Sequence, residues 1–329
     1  MNLNGKLILI TGAGGFIGSH LTERLIKEGA DVRAFVTYNS HGDCGNLKFL
    51  DKNNFNKIDI IQGNLCDSNC VDKVMKDVDF VYHLGALISI PYSYYNPEGV
   101  IKNNILGTLN ILQAALNNKS PRIIHTSTSE VYGTAQYVPI DEKHPNQVQS
   151  PYAASKIAAD KLTESYFRSF DLPITILRPF NTYGPRQSAR AIIPTIITQM
   201  LTKEEISLGS LEPIRDFIFV DDTVEGFIHA TYSDSSIGKT INIGHGNPIS
   251  IRELVEKISL LLDKKTRIVK DSQRLRPENS EVMKLHCCNK LAKNIMNWEP
   301  TVELEQGLLS TIDWIKKNLI SYQPNYYMI

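Results

Sequence analysis

The chain has 329 residues, 42% hydrophobic and 21% charged, with 35 lysines and arginines balanced by 35 aspartates and glutamates. Such a length exceeds what one core usually holds, so a large domain with a smaller appended lobe is expected. The composition excludes a fibrous or extensively disordered chain, and the zero net charge excludes a global field that gathers nucleic acid or an anionic membrane.

Met1 to Lys6 leads straight into a strand-like run, leaving no room for the apolar core of a signal peptide. No apolar stretch approaches the roughly 18 residues that span a bilayer, so a cytoplasmic protein is expected. The first strand is predicted at Leu7–Ile10. The turn after it, Thr11-Gly12-Ala13-Gly14-Gly15-Phe16-Ile17-Gly18, has the spacing G-x-x-G-x-x-G. Between a strand and a helix, Gly12 permits the tight turn, Gly15 lets backbone approach a pyrophosphate, and Gly18 lets the helix lie close to the sheet. A dinucleotide site is predicted here.

The second strand, Val32–Val36, runs into Thr37-Tyr38-Asn39-Ser40, which offers neither the carboxylate that favours NAD nor an arginine aimed at a 2′-phosphate. NAD is placed slightly ahead of NADP. Further strands are predicted at Ile58–Ile61, Phe80–Leu84, Ile123–His125 and Ile174–Leu177, with helices between them. This is the βαβ rhythm of a parallel sheet covered on both faces, and the fold class is α/β, doubly wound. The five cysteines, Cys44, Cys66, Cys70, Cys287 and Cys288, form no C-x-x-C pair; they are expected to be reduced thiols, with no metal site.

The fifth strand leads into Thr126-Ser127-Thr128-Ser129-Glu130-Val131-Tyr132-Gly133, and Ser150-Pro151-Tyr152-Ala153-Ala154-Ser155-Lys156 follows. Tyr-x-x-x-Lys sets both side chains on one helical face, one turn apart, behind a serine N-cap and a proline in the first turn. Past Arg178, Pro179, Gly184, Pro185, Pro194, Gly209 and Pro213 break the pattern into short elements, expected to form a lobe over the substrate. Ser250 with Glu253 marks a capping box ahead of a helix running to Leu262.

Joined together, the glycine turn, the hydroxyl at a strand end and Tyr-x-x-x-Lys resemble the extended short-chain dehydrogenase/reductases along nearly the whole chain. The resemblance implies a Rossmann-like sheet with a smaller, mostly C-terminal substrate lobe. Residues 1–180 and 214–245 would form the dinucleotide-binding domain, and 181–213 and 246–329 the nucleotide-sugar lobe. It implies NAD contacts from Gly12, Gly15, Phe16, Ile17, Gly18, Thr37, Asn64, Leu65, Leu84, Ala86, Tyr152 and Lys156. His83-Leu84-Gly85-Ala86 would line the cofactor, and Asn104-Ile105-Leu106-Gly107-Thr108 matches the family's N-x-x-G-T helix.

Oxidising a sugar hydroxyl needs a base as hydride leaves carbon, and a free tyrosine, with a pKa near ~10, is a poor one at neutral pH. Lys156 and the nicotinamide ring are expected to favour its phenolate, so that Tyr152 takes the proton while Thr128 bonds the same oxygen. Glu130 extends the chemistry. Thr128-Ser129-Glu130 is similar to the T-D-E of thymidine-type 4,6-dehydratases and the T-S-E of GDP-mannose dehydratases, where a carboxylate takes the C5 proton; simple 4-epimerases usually lack an acid there. Ser129 stands where the thymidine-type enzymes carry the aspartic acid that protonates the departing hydroxyl, so either Glu130 returns its own proton or Ser129 relays through water. UDP-glucuronate decarboxylases share the motif and are the second reading.

The stretch Ser127–Glu142, together with Arg178-Pro179-Phe180-Asn181-Thr182-Tyr183-Gly184-Pro185-Arg186-Gln187-Ser188-Ala189-Arg190, resembles the sugar-nucleotide 4,6-dehydratases of legionaminic acid biosynthesis. That implies GDP-N-acetylglucosamine as substrate, with UDP-N-acetylglucosamine close behind. Asn181, Arg190, Arg215 and Arg276 stand in family-like contexts for the substrate pyrophosphate, and a guanidinium fork suits two phosphate oxygens. Arg215 and Arg276 are the foremost candidates. Helices around Glu98–Leu116 and Tyr152–Ser169 resemble the pair that forms a four-helix homodimer interface. A cofactor-sensing regulator without catalysis would be expected to lose Tyr152 or Lys156, and both are present.

Overall fold

The computed structural model describes residues 3–322. Seven parallel strands form its central sheet: β1 (Leu7–Thr11), β2 (Asp31–Thr37), β3 (Ile58–Gly63), β4 (Phe80–His83), β5 (Arg122–Thr126), β6 (Ile174–Pro179) and β7 (Thr240–Ile243). Their order is 7-6-5-4-1-2-3. The chain winds outward from β1 to β3, then returns to lay β4 on the other side of β1. This reversal opens a crevice at the carboxyl ends of β1 and β4, where such sheets take ligands.

The strand residues explain the layering. Ile8 and Ile10 are fully buried in one hydrophobic cluster and Leu9, between them, in the other, because successive side chains of a strand point to opposite faces. Both faces are covered by helices, so β1 reads as an unbroken apolar run. The first cluster continues through Ile193, Ile206, Leu254 and Ile312, so the elements after β6 share one core with the sheet.

Six helices matter for the site. They are α1 (Phe16–Lys27), α2 (Gly107–Asn117), α3 (Pro151–Phe170), α4 (Val220–Tyr232), α5 (Ile251–Leu262) and α6 (Leu304–Lys317). Ser150 caps α3 by accepting from the Ala153 amide, with Pro151 in the first turn, and Ser250 and Glu253 complete the capping box of α5. The helix expected around Glu98–Leu116 is interrupted. Pro97–Ile101 is helical, Lys102–Leu106 forms a wider π turn, and α2 follows. β7 was not among the predicted strands; it is four residues long and lies beyond the glycine- and proline-punctuated stretch.

Three two-stranded pairs complete the second half: Asn181–Tyr183 with Phe217–Phe219, Glu205–Leu208 with Arg267–Lys270, and Ile214–Arg215 with Ile249–Ser250. A late segment stitches these to the sheet's loops. The Ala135 and Ile140 amides donate to the Lys284 and His286 carbonyls at 3.1 and 2.7 Å, the Ile214 amide donates to Met283, and the Leu285 amide returns to Ile214. Among the described residues no helix is long and apolar enough to cross a membrane, and the five cysteines are free.

Candidate active site

A cleft of about 1180 Å³ runs from the glycine turn, across the ends of β4 and β5, to the short strands of the second half. At its floor Gly12 has φ +71°, and a Cβ there would stand 2.9 Å from the Gly85 backbone. A Cβ on Gly18 would stand 2.2 Å from the Gly12 carbonyl oxygen, so helix and turn approach as closely as hydrogen alone allows. Gly15 caps α1 without a side-chain bond, and the first turn holds no acidic residue. The amides there remain open to an anion, with the helix dipole behind them.

Gly12, Gly15, Phe16, Ile17, Gly18, Thr37, Asn64, Leu65, Leu84, Ala86 and Tyr152 all line this cleft, and Lys156 does not. Thr126 Oγ1, Asn181 Oδ1 and Gln187 Oε1 also line it, buried and without hydrogen-bond partners. A buried polar atom left unpaired costs free energy, so these atoms fit a cleft built to hold a polar ligand. Together with the glycine cradle they fit a dinucleotide and a second polar molecule.

The rim beyond β2 holds a carboxylate that the sequence reading missed. Asn39 Oδ1 accepts from the His41 and Asp43 amides at 3.2 and 2.9 Å, folding the loop so that Asp43 reaches the cleft beside Thr37 and Tyr38. Its signal was the Gly42-Asp43-Cys44-Gly45 loop, whose two glycines both have positive φ.

Lys156 and Tyr152 are buried on α3, at 5% and 6% exposure. Lys156 Nζ donates to the Thr126 carbonyl at 2.6 Å. Burial lowers its pKa to about 8, opposed by the charge of Asp160. Burial likewise pushes the Tyr152 phenol well above the ordinary tyrosine range; a hydrogen bond with Thr128 works against this, and the charges of Glu130 and Asp160 add to it. Lys156 thus grips the end of β5, and Thr128 favours the Tyr152 phenolate by hydrogen bonding to it.

Thr128 caps the short 3-10 turn Ser129–Tyr132, accepting from the Glu130 amide at 3.2 Å. That turn separates the next two side chains: Glu130 faces the cleft, whereas Ser129 is 3% exposed and lies outside its lining. Asn104 sits in the π turn. Its amide group donates to the Leu87 carbonyl and Ser155 Oγ at 2.9 Å each, and its oxygen accepts from the Leu87 amide at 2.8 Å, so it ties the loop after β4 to α3.

The other wall carries the predicted cations. Arg215, 6% exposed, donates to Glu281 Oε1 at 3.1 Å. Arg276 Nη1 lies 3.6 Å from the same oxygen and 3.9 Å from Glu130 Oε2, buried without a hydrogen bond of its own. Glu281 was not foreseen. Asn181 and Arg190 complete this wall, with Arg190 Nε bonded to Ser188 Oγ at 3.2 Å.

The chain matches the family described as GDP-mannose 4,6 dehydratase over residues 9–311. It is 30% identical to UDP-glucuronic acid decarboxylase 1 of Xenopus tropicalis, over 98% of this chain and 75% of that one. Among solved structures, the dTDP-glucose 4,6-dehydratase DesIV of Streptomyces venezuelae, with NAD and TYD bound, superposes with a TM-score of 0.88 at 26% identity, over 97% of this chain and all of that one. A UDP-glucuronic acid 4-epimerase of Bacillus cereus, in complex with UDP-glucuronic acid and NAD, gives 0.85 at 30% identity, over 95% of this chain and 99% of that one. With a matched region spanning the glycine turn, the Tyr152–Lys156 pair and both arginines, the chain belongs to the GDP-mannose 4,6-dehydratase family of extended short-chain dehydrogenase/reductase enzymes.

Proposed function

We propose that this enzyme is an NAD-dependent nucleotide-sugar 4,6-dehydratase acting on GDP-N-acetylglucosamine or UDP-N-acetylglucosamine and yielding a 4-keto-6-deoxy sugar nucleotide. The observation that carries this reading is Glu130: a carboxylate on the cleft wall, two residues beyond Thr128 and close enough to Tyr152 for its charge to act on the phenol. Oxidation and re-reduction at C4 alone give it no proton to move.

Gly12, Gly15 and Gly18 with the α1 N-terminus would hold the pyrophosphate of NAD, and Asp43, on the cleft beside Thr37 and Tyr38, would take its adenosine ribose. When bound, NAD supplies the acceptor for the C4 hydride and its return to C6. Tyr152 takes the C4 hydroxyl proton while Thr128 holds that oxygen. The resulting ketone acidifies C5–H, and Glu130 removes that proton. Ser129 is buried outside the cleft lining, which supports Glu130 itself as the acid that passes the proton to the departing C6 hydroxyl, releasing water; C5 then takes a proton equivalent to the one Tyr152 removed, as hydride reaches C6. Arg215, Arg276, Asn181 and Arg190 hold the sugar-nucleotide diphosphate. We extend the reading to a homodimer through the helical stretch around Glu98–Leu116 and α3, which the exposed Ile101, Leu106 and Phe170 support.

The test is substrate deuterated at C4. Label in the C6 methyl group of a product lighter by one water is the expected result, and Glu130→Gln should oxidise C4 without eliminating. Label restored to C4 at unchanged mass refutes dehydration in favour of epimerisation. Loss of carbon dioxide from a UDP-glucuronate substrate, with no reaction of the N-acetylglucosamine nucleotides, refutes it in favour of decarboxylation.

A further inference from the structure

Directly behind the Tyr152–Lys156 pair lies a buried charge network that the reaction as written does not use. Residues 152, 156 and 160 fall four apart on α3 and so share one face. Asp160, 3% exposed, accepts through Oδ2 from Ser127 Oγ at 2.7 Å and from Arg178 Nη2 and Nε at 2.9 and 3.2 Å. Its other oxygen lies 3.4 Å from His125 Nε2. Arg178 is engaged on its far side as well: Nη1 donates to the Tyr132 hydroxyl at 2.9 Å, which donates to Asn242 Oδ1 at 2.7 Å.

One carboxylate therefore joins three elements. Ser127 belongs to the segment leaving β5 that also holds Thr126 and Thr128, Arg178 belongs to β6, and Asp160 belongs to the helix of the base. The groups facing it or Lys156 are His125 from β5, His83 from β4, Arg178 from β6 and Lys156 on α3 itself. Burial keeps His83 and His125 below the usual histidine range. The remaining charges are two cations and Asp160. Burial alone would raise its pKa, yet His125, Arg178 and Lys156 bring it down to about 2.

We propose that Asp160 is a positioning residue for the Tyr152–Lys156 pair: it clamps α3 to the Thr126–Thr128 strand end and supplies the negative charge that faces the Lys156 ammonium. The proposal rests on the reading of Tyr152 and Lys156 given above, but its test addresses Lys156 directly.

Full-length protein labelled with 13Cε-lysine is titrated by NMR as wild type, Asp160→Asn and Asp160→Glu, with Lys156→Arg assigning the signal; activity is followed against pH in parallel. The wild-type inflection is expected near 8. In Asp160→Asn it should fall by about 1–3 units, the usual effect of losing an adjacent opposite charge, and the alkaline limb of activity should fall with it. Asp160→Glu should recover most of both. Lost activity with an unmoved Lys156 inflection means a merely structural role and overturns the proposal, as does an unchanged Asp160→Asn enzyme. Should Asp160→Asn fail to fold, the wild type decides: the Asp160 carboxyl, followed by 13Cγ-aspartate, must stay ionised far below neutral pH, and a protonated carboxyl at pH 7 overturns the proposal. A wild type inactive on every nucleotide-sugar, but with the Lys156 shift intact, refutes the reaction above and upholds this inference.

Discussion

Replacing Gly18 with alanine tests the cofactor floor with one methyl group. The new Cβ would stand 2.2 Å from the Gly12 carbonyl oxygen, 2.9 Å from Ala13 Cα and 3.0 Å from the Gly12 carbonyl carbon, whereas ordinary contact begins at 3.4 Å. All three atoms are backbone, so no side chain can rotate away. Turn and helix must part by about 1 Å, at a cost of about 1–3 kcal/mol for overpacking. The same movement would draw the amides of the first turn of α1, from Phe16 on, away from a pyrophosphate bound there. Losing one charge-assisted hydrogen bond, about 1.5–3 kcal/mol, weakens NAD binding by about 10- to 150-fold. Calorimetric titration with NAD measures this, and thermal unfolding measures the cost to the fold. A dissociation constant within about twofold of wild type, at unchanged melting temperature, would show that the turn has slack absent from this geometry and refute the reasoning.

Tyr152→Phe should lower turnover by about 10²–10⁴-fold while nucleotide-sugar affinity holds, because it removes the proton acceptor and almost no volume; retained turnover rules out Tyr152 as the base. Arg215→Ala should weaken nucleotide-sugar binding at least tenfold and leave NAD binding alone; equal loss of both ligands in titration points to misfolding. Turnover should decline as pH rises through about 8, because the lowered Lys156 pKa keeps its ammonium only below that value; a flat profile to pH 10 contradicts the role given to the lysine. Asp160 has a folded-state pKa below its unfolded value, so its stabilisation is present above about pH 4 and is lost as pH falls towards 2; acid unfolding monitored by circular dichroism should show a flatter acid limb in Asp160→Asn.

Six of the seven strands were legible because a parallel strand buried on both faces must be apolar throughout, as in Leu7–Ile10 and Ile174–Leu177. β7 was not, since Thr240–Ile243 joins the sheet by pairing with β6 far upstream in sequence. The π turn at Lys102–Leu106 escaped because its residues suit an α-helix equally well, and tertiary bonds from Asn104 accompany the wider turn. Glycine spacing and Tyr-x-x-x-Lys are local patterns and were readable. Asp43 was missed because the acid was sought at a strand end, whereas a side-chain-folded loop delivers it. The inward turn of Glu130 against the burial of Ser129 depends on a 3-10 turn, and the clamps Arg178–Asp160 and Arg215–Glu281 link residues 18 and 66 positions apart. Such pairings exist only once the chain has folded.

The stitching of the segment around Lys284–Cys288 into the loops after β5 and beside Arg215 bears on how the enzyme is made. The parallel sheet and its glycine turn lie within the first 243 residues, but one face of that sheet shares its core with Leu254, Ala292, Leu308 and Ile312. Arg276 and Glu281 emerge later, and the strand that carries Arg215 gains its hydrogen bonds from Met283 and Leu285 only then. A chain stalled or clipped before Arg276 would lack both the opposing wall and the Ala292, Trp298 and Ile312 part of the core beneath the sheet. The C-terminal stretch therefore closes two things at once, the core beneath the cofactor floor and the wall that faces it across the cleft.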